Sequence, residues 1–274
     1  MNWRSIWAIA RKDLKEVFAN RAVWAPVILL PLILVVALPV LLLVLPTKLP
    51  AGQTNIPPDL VPRLMGKLPV GLAELIAPLE PTQQISLLMV STLFAPMLLT
   101  IPLMIASLIG ANSFAGEKER KTLEALLYTP ATDGELLLGK MLAAVIPAVL
   151  LSWVSFALYA VVVNAASWPI VGRIWFPTPT WWPLMLWVTP AIAVLGLGLT
   201  VIVSSKVSTF MEANQLSGIS VIVVVALVVS QVSGALYLGT GLIILLGAVI
   251  WALDIGLIAV AIKTFSRSSL ITRM

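Results

Sequence analysis

Gly116-Glu-Lys-Glu-Arg-Lys-Thr-Leu-Glu124, running on to Leu138-Gly139-Lys140, is a charged island between two long apolar runs, Ile85 to Ala111 and Leu136 to Val163. Its surroundings carry almost no charge. Charged residues make up 11% of the chain and apolar residues 60%, against roughly 25% charged in soluble domains. A chain of this composition forms one membrane domain, residues 1–274, rather than two soluble ones. The expected fold class is all-α, because in lipid a helix is the structure that satisfies its backbone within one segment.

Runs of about 20 apolar residues are needed to cross the hydrocarbon. Working outward from the island, six are found: 22–45, 85–111, 136–163, 183–203, 215–233 and 236–262. The last two are separated by a link bearing Gly234, Gly239 and Gly241. Six spans put both termini on one side, with Arg4, Arg11, Lys12, Lys15, Arg21, Lys118, Arg120, Lys121, Lys140, Lys206, Lys263, Arg267 and Arg273. The other side holds Lys48, Arg63, Lys67 and Arg173. The positive-inside rule then makes the first side cytoplasmic, in a multi-pass protein of the cell membrane. The first run is too long for a cleaved signal peptide and is read as a retained anchor.

Outside, residues 46–84 carry eight prolines, which predicts short turns and interfacial pieces such as Leu72 to Leu79. Trp168, Trp175, Trp181 and Trp182 read as an aromatic interface belt, with a substrate-binding cage as the alternative. At the start, residues 1–21 form an amphipathic interfacial helix. Trp3, Ile6, Trp7, Ala10, Leu14, Val17 and Phe18 make its apolar stripe, and Arg4, Arg11, Lys12, Asp13, Lys15 and Glu16 lie largely off it. It serves either as an anchor or as a lever touching a partner.

The cytoplasmic loop 112–135 is more specific. A helix is expected from Glu117 to Tyr128, pairing Glu117 with Lys121 and Arg120 with Glu124, with Leu123, Leu126 and Leu127 on another face. Pro130 ends it, and Thr132 with Glu135 forms a capping box that starts the next helix.

Gly116-Glu-Lys-Glu-Arg-Lys-Thr-Leu-Glu-Ala-Leu-Leu127, Thr129-Pro-Ala-Thr132 and Glu135-Leu-Leu-Leu-Gly-Lys140, with Ala10-Arg-Lys-Asp-Leu-Lys-Glu16 and Asn20-Arg21 near the start, resemble type-2 exporter permeases of the ATP-binding cassette (ABC) superfamily. The resemblance implies a homodimer, or a pair with a related permease, docked on two cytoplasmic ATPase subunits. It makes the N-terminal stretch a connecting helix and Glu117 to Tyr128 a coupling helix. Carried over by position, Glu117, Glu119, Arg120, Thr122, Leu123 and Glu124 transmit motion, with Gly139 and Lys140 at the entry of the third span. ATP and magnesium then belong to the partner, and this chain needs no cofactor.

Gly134 to Met141 has P-loop spacing, but methionine stands where Ser or Thr must hold magnesium, and a membrane helix opens there, so nucleotide binding is not expected. With no histidine and no cysteine, the usual zinc ligands and the usual near-neutral base are missing. The basic residues follow topology rather than one face, which argues against nucleic acid. Asp254 is the acidic residue inside a span; it is either functional or a structural hydrogen-bonding group. The sequence therefore points to a permease subunit with membrane lipid around it. The other readings are a non-transporting anchor or regulatory subunit, and an intramembrane enzyme for which Asp254 lacks partners. Scarce charge in the spans favours an amphipathic or lipid-like cargo.

Overall fold

The computed structural model describes residues 2–19, 21–48, 66, 68–122, 131–233 and 238–264. It is helical, with no strand among the described residues, and six of its helices are long and apolar enough to cross a membrane. Helix α1 is Trp3–Ala19. Helix α2 runs through Arg21–Pro31, π-helical Leu32–Ala37 and Leu38–Lys48. The short helix α3 is Val70–Ile76. The remaining long helices are α4, Pro81–Glu119; α5, Asp133–Val171; α6, Trp181–Ser204; α7, Phe210–Gln231; and α8, Thr240–Ile262.

The bundle centre is the crossing of α4 and α6, where small residues let the backbones approach. A Cβ on Gly196 would lie 2.9 Å from the Leu103 carbonyl oxygen, and one on Gly110 would lie 2.6 Å from Leu197. Helix α5 packs along α4, and α1 lies across its start. One end of the bundle gathers α1, residues 116–122 and 132–140, and the loop after α6. Lys118 Nζ donates to the Val207 carbonyl at 2.8 Å, and the Phe210 amide donates to Glu119 Oε2 at 2.8 Å. Of the basic residues grouped by sequence, Lys12 and Lys140 share the carboxylate of Glu117 at this end, and Lys118 lies against the loop after α6.

Helix ends extend past the expected spans because local caps, not hydrophobicity, decide them. Pro81, at the first position of α4, starts that helix before Ile85. Thr209 caps α7, its hydroxyl accepting from the Glu212 amide at 3.3 Å, so α7 begins before Gln215. Helix α5 continues to Val171 and ends on Gly172, whose φ of 68° suits glycine. Where an interfacial helix was expected from Leu72 to Leu79, the chain is helical over Val70–Ile76. Residues 234–237, where the sixth span was expected to begin, lie outside the described residues.

The tryptophan belt divides. Trp168 and Trp182 are both 53% exposed, as a belt requires. Trp181 instead lies in the core, with Phe156, Tyr159 and Phe176 around it. The cause lies in α4, which widens to a π-helix over Met89–Leu93 and redirects carbonyls toward α5 and α6. Tyr159 Oη donates to the Val90 carbonyl at 2.6 Å and Trp181 Nε1 to that of Ser91 at 2.9 Å. Asn164 of α5 fastens the loop before α6, accepting from the Trp175 and Phe176 amides and donating to the Phe176 carbonyl.

Candidate functional site

Lys140 sits in the second turn of α5 with its side chain fully buried. A buried ammonium costs far more than it returns unless charges and acceptors surround it. Four acceptor atoms do so. Lys140 Nζ lies 2.6 Å from Glu117 Oε2, 3.1 Å from Asp13 Oδ2, 3.0 Å from the Ser113 carbonyl and 3.1 Å from Ser113 Oγ. Ser113 Oγ in turn donates to Asp13. Asp13 and Glu117 are 2% and 1% exposed, so α1, α4 and α5 each contribute a buried polar group to one cluster.

Lys12 closes the cluster at its solvent edge. Its ammonium donates to Glu117 and lies 3.0 Å from Glu16 and 3.4 Å from Asp13. Burial alone would lower the Lys12 pKa, but the hydrogen bond and charge of Glu117, with Asp13 and Glu16, more than offset this and raise it above the usual lysine value. Asp13, Glu16 and Glu117 offer oxygens within 4.8 Å of one another, the spacing of a metal site. The two ammonium groups of Lys12 and Lys140 occupy that set of acceptors, so it reads as an ionic junction.

Gly139 explains how α1 comes close enough. A Cβ there would lie 2.9 Å from the Ile6 carbonyl oxygen and 2.8 Å from Ile9 Cβ, so the two helices touch backbone to backbone. The capping box at Thr132 forms as expected, and Glu135 also accepts from the Asn2 amide, tying the start of α1 to the start of α5. Gly139→Ala should lower the stability of the detergent-solubilised protein by about 1–3 kcal/mol, the cost of overpacking. The measurement is the unfolding midpoint at fixed scan rate. Adding Ile9→Ala should not restore it, since the Ile6 carbonyl and the Cβ at position 9 remain.

The charged segment departs from the expected single helix. Glu117 is in the last turns of α4, and the helix ends at Glu119. Lys121 takes φ 57°, its amide bonds the Lys118 carbonyl, and the Thr122 amide bonds that of Glu117, which makes a Schellman ending with lysine in the place glycine usually takes. A helix continuous through 117–128 is therefore interrupted at its fifth residue. Glu117 pairs with Lys140 and Lys12 rather than Lys121. Arg120 is exposed and donates to Asn112 Oδ1 at 3.0 Å, and Thr122 Oγ1 donates to the Glu117 carbonyl at 3.3 Å. Leu123, Glu124 and the residues to 130 lie outside the described residues.

Of the residues expected to act together, Glu117 and Lys140 meet, Gly139 supports them, and Glu119 reaches the start of α7. Sequence reasoning missed Asp13, Ser113 and Lys12. The signal for Asp13 was present: Ile6, Ala10, Asp13 and Val17 form the buried stripe of α1, and an acidic residue at such a position calls for a buried cation. Asp254 is elsewhere. It is fully buried on the stripe of α8 that faces α6, between Gly247, whose added Cβ would strike Trp187, and Leu257, which packs on Gly198. Neither carboxyl oxygen has a hydrogen-bond partner among the described residues. The P-loop look-alike is helical throughout as the start of α5, its Glu135 amide donating to Thr132 Oγ1 and its Leu136 amide to the Thr132 carbonyl.

The sequence profile of the ABC-2 family transporter proteins matches residues 7–270, which takes in α1 from Trp7 onward, the charge cluster and all six long helices. The chain belongs to the ABC-2 transporter family. It is thus a multi-pass membrane protein of the permease type, a class generally served by separate ATPase subunits. Among curated proteins, none matches the chain.

Proposed function

We propose that this ABC-2 protein is the membrane-spanning subunit of an ATP-driven exporter, coupled to two separate cytoplasmic ATPase subunits and paired with a second permease copy. The observation that carries the reading is the Lys140 junction. It joins the segment that the family resemblance assigns to coupling, through Glu117, to α1 and to the start of α5. A push on residues 116–122 therefore acts on three helices at once, and through Glu119 and Lys118 on the start of α7 as well. The two packings that such a push would favour in turn are the basis of alternating access. ATP and magnesium would be bound by the partner, both termini of this chain would be cytoplasmic, and the membrane would be the plasma membrane.

The test is purification of the tagged chain in mild detergent from its native membrane, followed by mass spectrometry of what co-purifies. An ATPase in equal amount to the permease is expected, and it should be lost when the exposed Arg120 is changed to Glu together with Glu124→Lys. Hydrolysis by the complex should then respond to a transported compound. An ATPase in neither sample would overturn the reading. An ATPase that binds but whose hydrolysis ignores every compound tested would favour an anchoring or regulatory subunit.

A further inference from the structure

The face of α1 turned away from the bundle has two edges. Trp3, Trp7 and Phe18, exposed to 64%, 50% and 56%, form an apolar one. Arg4, Arg11 and Lys15, also exposed, form a basic one. At 3.6 residues per turn the two edges run side by side along the helix, the basic one opposite the buried stripe of Ile6, Ala10, Asp13 and Val17 and the apolar one between that stripe and the cations. No carboxylate among the described residues forms a salt bridge with any of the three cations. Glu16, the nearest acid on the helix, is held by Lys12.

The apolar edge is continuous with the surface of the first span. The Phe18 ring packs 5.3 Å from that of Trp24, whose Nε1 donates to the Phe18 carbonyl, and Trp24 begins that span. Ile28 and Leu29, 58% and 56% exposed, carry the same outward surface onward. A helix joined in this way to a lipid-facing span lies at the boundary of hydrocarbon and headgroups. A soluble partner covering this face would have to displace the acyl chains beside Trp24.

We infer that this face of α1 is a binding site for anionic phospholipid headgroups, with Arg4, Arg11 and Lys15 on the phosphates and Trp3, Trp7 and Phe18 among the upper acyl carbons. This inference does not depend on the proposed ATPase coupling. Three cations with no salt bridge among the described residues, near an anionic leaflet, are enough for selection by headgroup charge. Asp13, on the opposite face of the same helix, joins the Lys140 junction, so bound headgroups would hold α1 down on that junction from outside.

The test uses the full permease without any ATPase, in nanodiscs of phosphatidylcholine alone and of equal parts phosphatidylcholine and phosphatidylglycerol. Hydrogen exchange of the α1 amides is the readout. Exchange should be slower by roughly tenfold or more with phosphatidylglycerol, and the difference should vanish near 1 M salt, where the screening length falls to about 3 Å. Arg4→Gln with Arg11→Gln and Lys15→Gln should exchange alike in both lipids, at the wild-type rate in phosphatidylcholine, which shows that the helix still packs. Equal exchange of the wild type in the two lipids would overturn the inference. So would a phosphatidylglycerol effect that survives in the triple variant, or an equal slowing by inorganic phosphate added to phosphatidylcholine discs, which would mark a site for free anions.

Discussion

Lys140→Met should lower the stability of the solubilised permease by about 3–5 kcal/mol, because it removes the fully buried cation that Asp13 and Glu117 share and leaves them only Lys12, at the solvent edge. The loss comes less from the attraction removed than from two buried carboxylates left with a single, partly exposed cation. The same argument predicts a rescue. Adding Asp13→Asn and Glu117→Gln to Lys140→Met neutralises every fully buried member, leaves the Lys12–Glu16 pair at the solvent edge, and should recover most of the loss, since replacing a buried ion group is often close to neutral. Thermal midpoints followed by tryptophan fluorescence at one scan rate measure both. A single variant that melts with the wild type would mean that water reaches the cluster. A triple variant no better than the single one would mean that Lys140 matters for its shape rather than its charge.

The second large effect is expected at the other end of the bundle. Trp181→Ala should cost about 3–5 kcal/mol, as for other large buried aromatic side chains cut to alanine. The ring is 1% exposed, stacked on Phe156 and Tyr159 at centroid distances of 5.6 and 5.4 Å, and met edge-on by Phe176 at 4.9 Å. In a bilayer, packing contacts of this kind rather than exclusion of water hold helices together. Trp181→Phe keeps most of them but leaves the Ser91 carbonyl of the π-helical turn without its donor, and should cost about 1–3 kcal/mol. If alanine and phenylalanine behave alike, the hydrogen bond and not the ring is what matters there.

The six spans were legible because crossing lipid demands a length and an apolarity that few other structures share, and each expected run falls within or largely over an observed helix. What hydropathy could not show was where helices stop once outside the hydrocarbon. There Pro81, Thr209 and the turn at Lys121 decide, and these are local backbone choices. Among the site residues, Glu117, Gly139 and Lys140 were reached through the family resemblance, while their mutual contact was not visible. Asp13 was placed on the wrong side because an amphipathic stripe is usually drawn by hydrophobicity. A charge on a buried stripe is misplaced by that rule whenever its partner lies on another helix, here 127 residues away. Trp181 was grouped with its neighbours by composition, yet a single turn of π-helix in α4 draws it inward.

Helix α5 has 39 residues and runs unbroken from the Lys140 junction to the loop held by Asn164. At 1.5 Å per residue it is about 58 Å long, nearly twice the thickness of the hydrocarbon it crosses. Moved as a rigid body, such a helix would act as a beam with its fulcrum in the membrane. A tilt of about 10° around the midpoint swings each end by about 5 Å, in opposite directions. Force applied on one side of the membrane would thus arrive on the other as movement of Asn164 and the Trp175–Phe176 backbone it holds, with no chain of side-chain rearrangements between.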